Sequence, residues 1–162
     1  MTAPQAPADE SGGGISPKVE ERRRKLKALG THIVCELSGC NPEALTDVDA
    51  VHTMMIAAAK AAKATIMESA FHRFEPQGVS GTVILAESHL SIHTWPEKGY
   101  AAMDFYTCGD HTNPWLACEH AAKVLSAKSM LTTEFKRGIE SKNGTFTHVV
   151  TATEAEDRPL TA

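Results

Sequence analysis

The sequence predicts an α+β fold, a two-layer sandwich in which a mainly antiparallel sheet is covered on one face by helices. Several short segments alternate apolar and polar residues, which is the pattern of half-buried strands. Two other segments repeat apolar residues at helical spacing. The central strands follow one another without a helix between them, which favours antiparallel pairing. Because both helices cover one face, the other sheet face must meet something else.

The composition fits a single domain that binds a small molecule. Of the 162 residues 42% are apolar, enough to cover one sheet with a layer of helices. The net charge of -4 argues against a general nucleic-acid binder, which needs a dominant positive field. We find neither a membrane-spanning apolar run nor a secretory signal pattern, so we expect a cytoplasmic protein that keeps its four cysteines as thiols.

Both ends of the chain are expected to lie outside the folded domain. Residues 1–17 are rich in Pro, Ala, Gly and Ser and predict a disordered tail. Residues 18–27 are mostly charged and predict a solvated lead-in helix. The domain is therefore expected to span residues 18–151, followed by a flexible tail over 152–162.

The first strand and the first helix follow from local patterns. His32–Leu37 alternates apolar and polar residues and predicts a half-buried strand. Thr46 followed by Asp49 resembles a capping box and opens a predicted helix over residues 47–63, which is rich in alanine. The next strand is predicted over Ala64–Phe71, where β-branched and apolar residues are frequent.

Three consecutive strands and a second helix come next. The strands are predicted over Gly81–Ala86, Leu90–Trp95 and Ala101–Thr107, because turn residues separate these apolar or alternating runs. Asn113 then caps a helix whose first residue is Pro114, a position where the missing N–H costs nothing. The buried stripe of this helix is predicted to contain Trp115, Cys118, Ala122 and Leu125.

Two strands are expected at the end of the domain, and the second of them is short. Met130–Lys136 predicts the first of these strands from its apolar and β-branched residues. Asn143-Gly144 is a hairpin signal, so a short closing strand is expected within Thr145–Thr151.

Ser88 stands directly behind Glu87, in a run that does not look like plain core. If its hydroxyl attacked the Glu87 carbonyl carbon, an amide would become an ester, and elimination would then leave a dehydroalanine that hydrolyses to a pyruvoyl group. Such an attack needs a base and a distorted or polarised carbonyl. His93 lies five residues on, which in one straight strand means opposite faces and about 16 Å of separation. If they cooperate, the chain must bend near Glu87–His89, which predicts a cleavage site in a turn between strands.

The run from Gly78 to Glu97, with residues 100–109 beyond it, closely resembles the short prokaryotic S-adenosylmethionine decarboxylases. The resemblance covers roughly Thr31–Gly138. It implies self-cleavage between Glu87 and Ser88 into a β chain of residues 1–87 and an α chain of residues 88–162. Ser88 would become the pyruvoyl cofactor, whose carbonyl forms a Schiff base with the substrate amine.

The resemblance also implies roles for other residues around this motif. His93 and Ser80 match positions that assist self-processing, where an imidazole takes the Cα proton and a hydroxyl donates to the oxyanion. Cys108 matches the catalytic acid that returns a proton to the substrate α-carbon, and it must remain a thiol to do so.

Three further matches concern the substrate. Glu97 matches the acid that accepts hydrogen bonds from both ribose hydroxyls. Phe74 matches an aromatic that stacks on adenine, although Phe71 is a nearby competitor. Trp95 is expected to line the same pocket, where aromatic faces attract the sulfonium cation.

The implied function is decarboxylation of S-adenosylmethionine for spermidine synthesis. In the family, two short protomers pair their sheets into a four-layer αββα homodimer with active sites at the interface, which would cover the open sheet face. One alternative is a pyruvoyl-dependent decarboxylase of arginine or ornithine, because the processing residues would be the same. An alternative of another class is a non-catalytic metal-binding module that uses His89, His93 and Cys108-x-x-His111, whereas the decarboxylase needs no metal.

Overall fold

The computed structural model describes residues 27–156, with side chains as far as Thr151. The tail predicted for residues 1–17 and nearly all of the lead-in helix predicted for 18–27 lie outside these residues, as do residues 157–162. In the described part of the chain, no helix combines the length and the apolar character that crossing a bilayer requires.

Seven strands, three α-helices and one 3-10 helix make up the described fold. In chain order they are β1 (Gly30–Ser38), α1 (Pro42–Thr46), α2 (Val48–Ala61), β2 (Ile66–Arg73), β3 (Val79–Leu85), β4 (Ser88–Trp95), the 3-10 helix (Pro96–Lys98), β5 (Tyr100–Cys108), α3 (Pro114–Val124), β6 (Ser129–Glu140) and β7 (Phe146–Glu156). The strands form one sheet in the order β2-β3-β4-β5-β1-β6-β7, and every neighbouring pair is antiparallel. The predicted α+β architecture is confirmed.

The helix predicted over residues 47–63 is confirmed as α2, but its cap is a different residue, and the short helix α1 that precedes it was not predicted. The Asp47 carboxylate accepts hydrogen bonds from the backbone N–H groups of Asp49 and Ala50, at 2.9 and 3.2 Å, and so opens α2. Thr46 instead ends α1, where its hydroxyl donates to the Pro42 carbonyl at 2.9 Å. The sequence prediction placed the cap one residue early, because both Thr and Asp are good caps.

The closing hairpin is much longer than predicted. β6 runs to Glu140, and β7 pairs with it from Phe146 to Glu156, beyond residue 151 where the domain was expected to end. The register shifts between Arg137 and Ile139, next to Gly138, whose φ of 72° suits a glycine. This bulge lets a strand that was predicted to stop near residue 136 continue to its turn.

The core lies between one sheet face and the layer formed by α2 and α3. Alternate residues of the central strands are fully buried there, including Ile33, Leu90 and Phe105. Burying each such side chain contributes about 1.5–3 kcal/mol. The helices meet the sheet through many alanines, which let the backbones approach closely; the buried ones include Ala58, Ala59, Ala117, Ala121 and Ala122.

The opposite sheet face, called the open face below, is not covered within the described chain. Ile84 and Leu131 on this face are 45% and 44% exposed. Half-buried His, Asp, Tyr and Trp side chains stand between such apolar residues. An open groove of about 770 Å³ runs across β2 to β5 and β1 on this side.

Candidate active site

The Glu87–Ser88 peptide bond lies at a tight turn between β3 and β4. Leu85 pairs with Ser88, so only Ala86 and Glu87 connect the two strands. The Ala86 N–H donates to the Thr65 carbonyl at 2.9 Å, which fixes one side of the turn. Ser88 has a φ of 149°, a conformation that non-glycine residues rarely adopt and that costs about 1–3 kcal/mol. The predicted turn between strands is confirmed.

The side chain of Glu87 anchors this turn from inside. It is only 6% exposed, and its carboxylate accepts hydrogen bonds from His111 Nε2 at 2.8 Å and from the Thr65 N–H at 3.0 Å. Burial alone would raise the pKa of Glu87, but the bonds from His111 and Thr65 outweigh it and lower the pKa to about 2. The carboxylate is therefore ionised near neutral pH and holds its own peptide unit in place.

The carbonyl of Glu87 accepts a hydrogen bond from the backbone N–H of Cys108 at 2.9 Å. This carbonyl carbon is the atom that the Ser88 hydroxyl would attack, and a backbone N–H aimed at the oxygen stabilises the negative charge that develops there. The register of β4 against β5, in which Ser88 faces Thr107, brings Cys108 to this position. Sequence reasoning missed both this donor and the anchors of Glu87, because the donor depends on strand register and the anchors come from loops that are distant in sequence.

The thiol of Cys108 is exposed beside the same turn, at the end of β5. It interacts with the Tyr106 hydroxyl; the pKa of Tyr106 is raised, first by burial and then by the hydrogen bond with Cys108. We call the segment Ala86–Ser88 together with Cys108 the cleavage turn.

A second group of predicted residues lies near the other end of β4. Ser80 and His93 pair across β3 and β4, and Ser80 Oγ hydrogen-bonds His93 Nδ1. The His93 ring lies 4.2 Å from the Trp95 ring and 5.6 Å from the Phe74 ring, measured between centroids. Trp95 stacks in turn on Tyr100 at 5.0 Å. We call Phe74, Ser80, His93 and Trp95 the aromatic cluster.

Phe74 and its competitor Phe71 occupy different environments. Phe74 is 40% exposed and belongs to the aromatic cluster. Phe71 packs against the core and against His52 of α2 at 4.8 Å. Its ring covers Gly81, where a Cβ would lie 2.0 Å from the ring. Gly81 is therefore needed for this packing, and Phe71 acts in the core.

The turn does not bring Ser88 and His93 together within one protomer, so the bend between them on which cooperation within one chain depends is absent. It precedes Ser88, so both residues remain in β4, about 16 Å apart at 3.3 Å per residue. The bond that His93 makes is to Ser80, and the Ser88 hydroxyl instead lies 3.1 Å from His89 Nδ1. Ser80 pairs with His93 and is likewise far from the Glu87 carbonyl, so neither predicted processing residue reaches the turn of its own chain.

Glu97 lies beyond the aromatic cluster, on the 3-10 helix that follows β4. Its side chain is exposed, and its carboxylate accepts a hydrogen bond from Gln77 Nε2 at 3.2 Å. It borders a surface depression that also contains Asp47 and Arg73. A carboxylate so placed is free to accept further hydrogen bonds from a ligand.

The candidate metal ligands are directed to different partners. His93 bonds Ser80, His111 bonds Glu87, and His89 lies between Ser88 and Asp104. Within residues 27–156, no three His, Cys, Asp or Glu side chains are grouped as a metal site requires. The geometry therefore gives no support to the metal-binding alternative.

Comparison with known proteins assigns the family. The family model described as S-adenosylmethionine decarboxylase matches residues 31–138, about two-thirds of the chain. The chain belongs to the S-adenosylmethionine decarboxylase family. The resemblance found in the Glu87-Ser88 motif is thus confirmed, and the matched range is the one predicted from the sequence.

This chain aligns with most of the length of its relatives in the decarboxylase family. The S-adenosylmethionine decarboxylase proenzyme of Caldanaerobacter subterraneus subsp. tengcongensis is 52% identical over 117 residues, covering 72% of this chain and 94% of that relative. The proenzyme of Syntrophomonas wolfei is 53% identical over 114 residues, covering 70% and 90%. The crystal structure of the adenosylmethionine decarboxylase from Aquifex aeolicus superposes with a TM-score of 0.67 at 37% identity, covering 72% and 96%. These relatives give no support to an arginine or ornithine decarboxylase.

Proposed function

We propose that this chain is a proenzyme that cuts itself between Glu87 and Ser88 and then decarboxylates S-adenosylmethionine with a pyruvoyl group made from Ser88. The observation that carries the proposal is the cleavage turn. Ser88 has a strained φ of 149°, and the Glu87 carbonyl is already held by the Cys108 N–H at 2.9 Å. Strain relief and a prepared oxyanion donor both lower the barrier to attack on this carbonyl. The product would serve spermidine synthesis, and the proposed location is the cytoplasm.

The residues around Ser88 fit the group proposed to form there. After cleavage Ser88 would begin the α chain, at the first residue of β4 and beside Cys108 of β5. The pyruvoyl group supplies an electron sink for loss of carbon dioxide from an amino acid. The exposed thiol of Cys108 is then the neighbouring acid that can donate a proton to the substrate α-carbon.

The aromatic cluster fits the nucleoside part of the substrate. The half-exposed rings of Phe74 and Trp95 offer faces for stacking on adenine and for attracting the sulfonium cation. The exposed carboxylate of Glu97 suits the paired hydroxyls of a ribose. These three residues would determine the substrate specificity, whereas the cleavage turn, which includes Cys108, would carry out the reaction.

A homodimer would bring these two parts together, and we propose that the active enzyme is one. In a single protomer about 16 Å of β4 separates Ser88 from His93. A two-fold axis through the open face would stack two sheets and set the cleavage turn of one protomer against the aromatic cluster of the other. The exposed Ile84 and Leu131 would be buried in such an interface, and the result is a four-layer αββα molecule. His93 of the partner subunit could then take the Cα proton during elimination.

The proposal is tested first by the mass of the purified chain. We expect the 17.4 kDa chain to give two fragments that end and begin at residues 87 and 88, and carbon dioxide to be released from labelled S-adenosylmethionine but not from arginine or ornithine. Ser88→Ala should remain uncut, whereas the exposed Ser141→Ala, in the β6–β7 connection, should cut normally. A wild-type chain that stays intact after long incubation, or that carries zinc and releases no carbon dioxide, would contradict the proposal.

A further inference from the structure

We propose that His89 is the catalytic base that takes the proton from the Ser88 hydroxyl during self-cleavage, and that Asp104 is the residue that positions it. The inference rests on the proposed self-cleavage at Glu87–Ser88 and adds the group that activates the nucleophile. A serine hydroxyl is a weak nucleophile unless an adjacent base accepts its proton. His93, the expected processing histidine, lies about 16 Å along β4 in the same protomer.

The three side chains form a continuous hydrogen-bonded row. Ser88 Oγ lies 3.1 Å from His89 Nδ1, and His89 Nε2 lies 3.1 Å from Asp104 Oδ2. Both distances are within the range for proton transfer between a nucleophile, its base and the group that orients the base. Asp104 is on β5 and pairs with Ser91, so the register of β4 against β5 builds the second contact.

Asp104 is held as an ionised acceptor. His32 Nε2 lies 3.3 Å from the same Oδ2 atom, and Ser91 Oγ donates to Oδ1. The hydrogen bond from His32 is the main cause that lowers the pKa of Asp104 to about 2, with Ser91 and His89 adding to it against burial. A carboxylate can only accept, so it selects the His89 tautomer that carries its proton on Nε2. Nδ1 is then the acceptor that faces Ser88.

The atom to be attacked is prepared at the same place. The Glu87 carbonyl oxygen is hydrogen-bonded by the Cys108 N–H, and the Glu87 carboxylate is fixed by His111 and Thr65. Nucleophile, base, orienting carboxylate and oxyanion donor therefore meet around one peptide bond of a single protomer. That combination matches the geometric requirements for acyl transfer by a serine hydroxyl.

The step that we assign to His89 is the shift of the acyl group from nitrogen to oxygen. The Ser88 hydroxyl proton moves to His89 Nδ1 as Oγ bonds the Glu87 carbonyl carbon, and the carbonyl oxygen takes the negative charge beside the Cys108 N–H. The carbon–nitrogen bond then breaks, and His89 returns the proton to the Ser88 nitrogen. The product is an ester that joins Glu87 to the Ser88 side chain, with a free amine on Ser88, and no further reactant is consumed. Elimination follows as a separate step.

The test measures how fast newly synthesised full-length chain is cut, by pulse labelling in cell-free synthesis. Part of each sample is treated with hydroxylamine, which splits esters and so detects the ester intermediate. The full-length His89→Ala chain should be cut at least about 100-fold more slowly than the wild-type chain, and no ester should accumulate. Added imidazole should restore cutting, and substituted imidazoles should restore it in the order of their basicity. His120→Ala, in the helix layer, is the matched control and should cut at the wild-type rate.

Asp104 variants test the positioning role. Asp104→Asn offers His89 a donor as well as an acceptor and no longer selects the required tautomer, so cutting should slow at least about 10-fold. Asp104→Glu keeps the carboxylate and should regain part of that loss. Equal rates for Asp104→Asn and wild type would overturn the positioning role.

The outcomes separate this inference from the proposed function. If wild type cuts and His89→Ala cuts equally fast, His89 is not the base, and the proposed function still stands. Ester that accumulates in His89→Ala would place His89 after the acyl shift, and a slow variant that imidazole cannot restore would make His89 a structural residue; either result overturns the assignment. If wild type never cuts, it is the proposed function that fails.

Discussion

The two ends of β4 differ: the turn at one end is fixed by backbone geometry, and the cluster at the other end is formed by side chains. At its start, the cleavage turn is fixed by backbone: a rare φ at Ser88, a two-residue connection and a main-chain donor from Cys108. At its other end, the aromatic cluster is built from side chains, with the rings of Trp95 and Phe74 at 4.2 and 5.6 Å from the ring of His93. The first region can strain and polarise a peptide bond, and the second offers surfaces to a flat, cationic ligand.

This difference shows that the motif is contiguous in sequence but not in function. Residues 80–97 carry groups for both tasks, yet a straight strand separates them by about 16 Å. Each region is thus built locally, and in the proposed homodimer a second sheet brings the two together. The predictions below test that separation, beginning with the largest expected effect.

Mixing two inactive chains should restore activity if the two regions meet across a dimer. Ser88→Ala removes the nucleophile and His93→Ala removes the proposed elimination base, so neither chain alone should give stable fragments. In a mixed dimer, the intact Ser88 of one chain faces the intact His93 of the other, and the His93→Ala chain should be cut. Coexpression with two affinity tags, followed by intact mass measurement, reads this out. If tagged mixed dimers form but stay uncut, the site is not shared between protomers.

Cys108→Ala should separate cutting from decarboxylation. The backbone N–H that supports the Glu87 carbonyl remains in the variant, so at least part of the cutting should persist. The thiol is lost, and carbon dioxide release should fall by roughly 10²–10⁴-fold. Gel analysis of the fragments and release of labelled carbon dioxide measure the two steps, with Cys108→Ser as the matched variant. Equal loss of both activities would show that the thiol itself is needed in the turn.

The two phenylalanines near β2 should respond differently to truncation. Phe74→Ala removes a half-exposed ring from the aromatic cluster and should raise the KM for S-adenosylmethionine roughly 10-fold, with little change in stability. Phe71→Ala removes a ring from the core side and should instead lower the free energy of unfolding by about 2 kcal/mol. Substrate kinetics and denaturant melts measure both variants. The assignment of Phe74 would be wrong if only Phe71→Ala changed KM.

The smallest expected effect is a pH-dependent contribution of Glu87 to stability. Its pKa of about 2 lies below the ordinary 4.5, so its stabilising contribution is complete above pH 4.5 and is lost as pH falls toward 2. In a Ser88→Ala background, Glu87→Gln should lower the free energy of unfolding by about 1–2 kcal/mol at neutral pH, and the difference should shrink through that window. Denaturant melts at several pH values test this. A difference that stays constant with pH would mean that ionisation of Glu87 does not support the turn.

Much of the fold could be predicted from the sequence, because the patterns that indicate its strands and helices are local. Alternation over His32–Leu37 and the Asn113-Pro114 cap each predicted an element that the structure contains. The short helix α1 and the length of β7 were missed, since α1 has only five residues and so no helical periodicity, and β7 depends on a bulge at Gly138.

The candidate site could be predicted from the sequence only in part, for the same reason. Ser80, Ser88, His93 and Cys108 lie within a recognisable motif. His111, Thr65 and Asp104 are joined to that motif by strand register and by loops, and nothing in their local sequence marks them as partners of Glu87 or His89. The distance between Ser88 and His93 was foreseen, but the position of the turn before Ser88 was not.

The sequence by itself determined the α+β class, the family and the candidate cleavage dipeptide, because periodicity, caps and a long motif are properties of neighbouring residues. Tertiary structure decided which groups lie around that dipeptide. Pairing of β4 with β5 brings the Cys108 N–H to the Glu87 carbonyl and Asp104 to His89, and the same straight β4 keeps His93 away. Hydrogen-bond register is a property of two strands together, so no single stretch of sequence contains it.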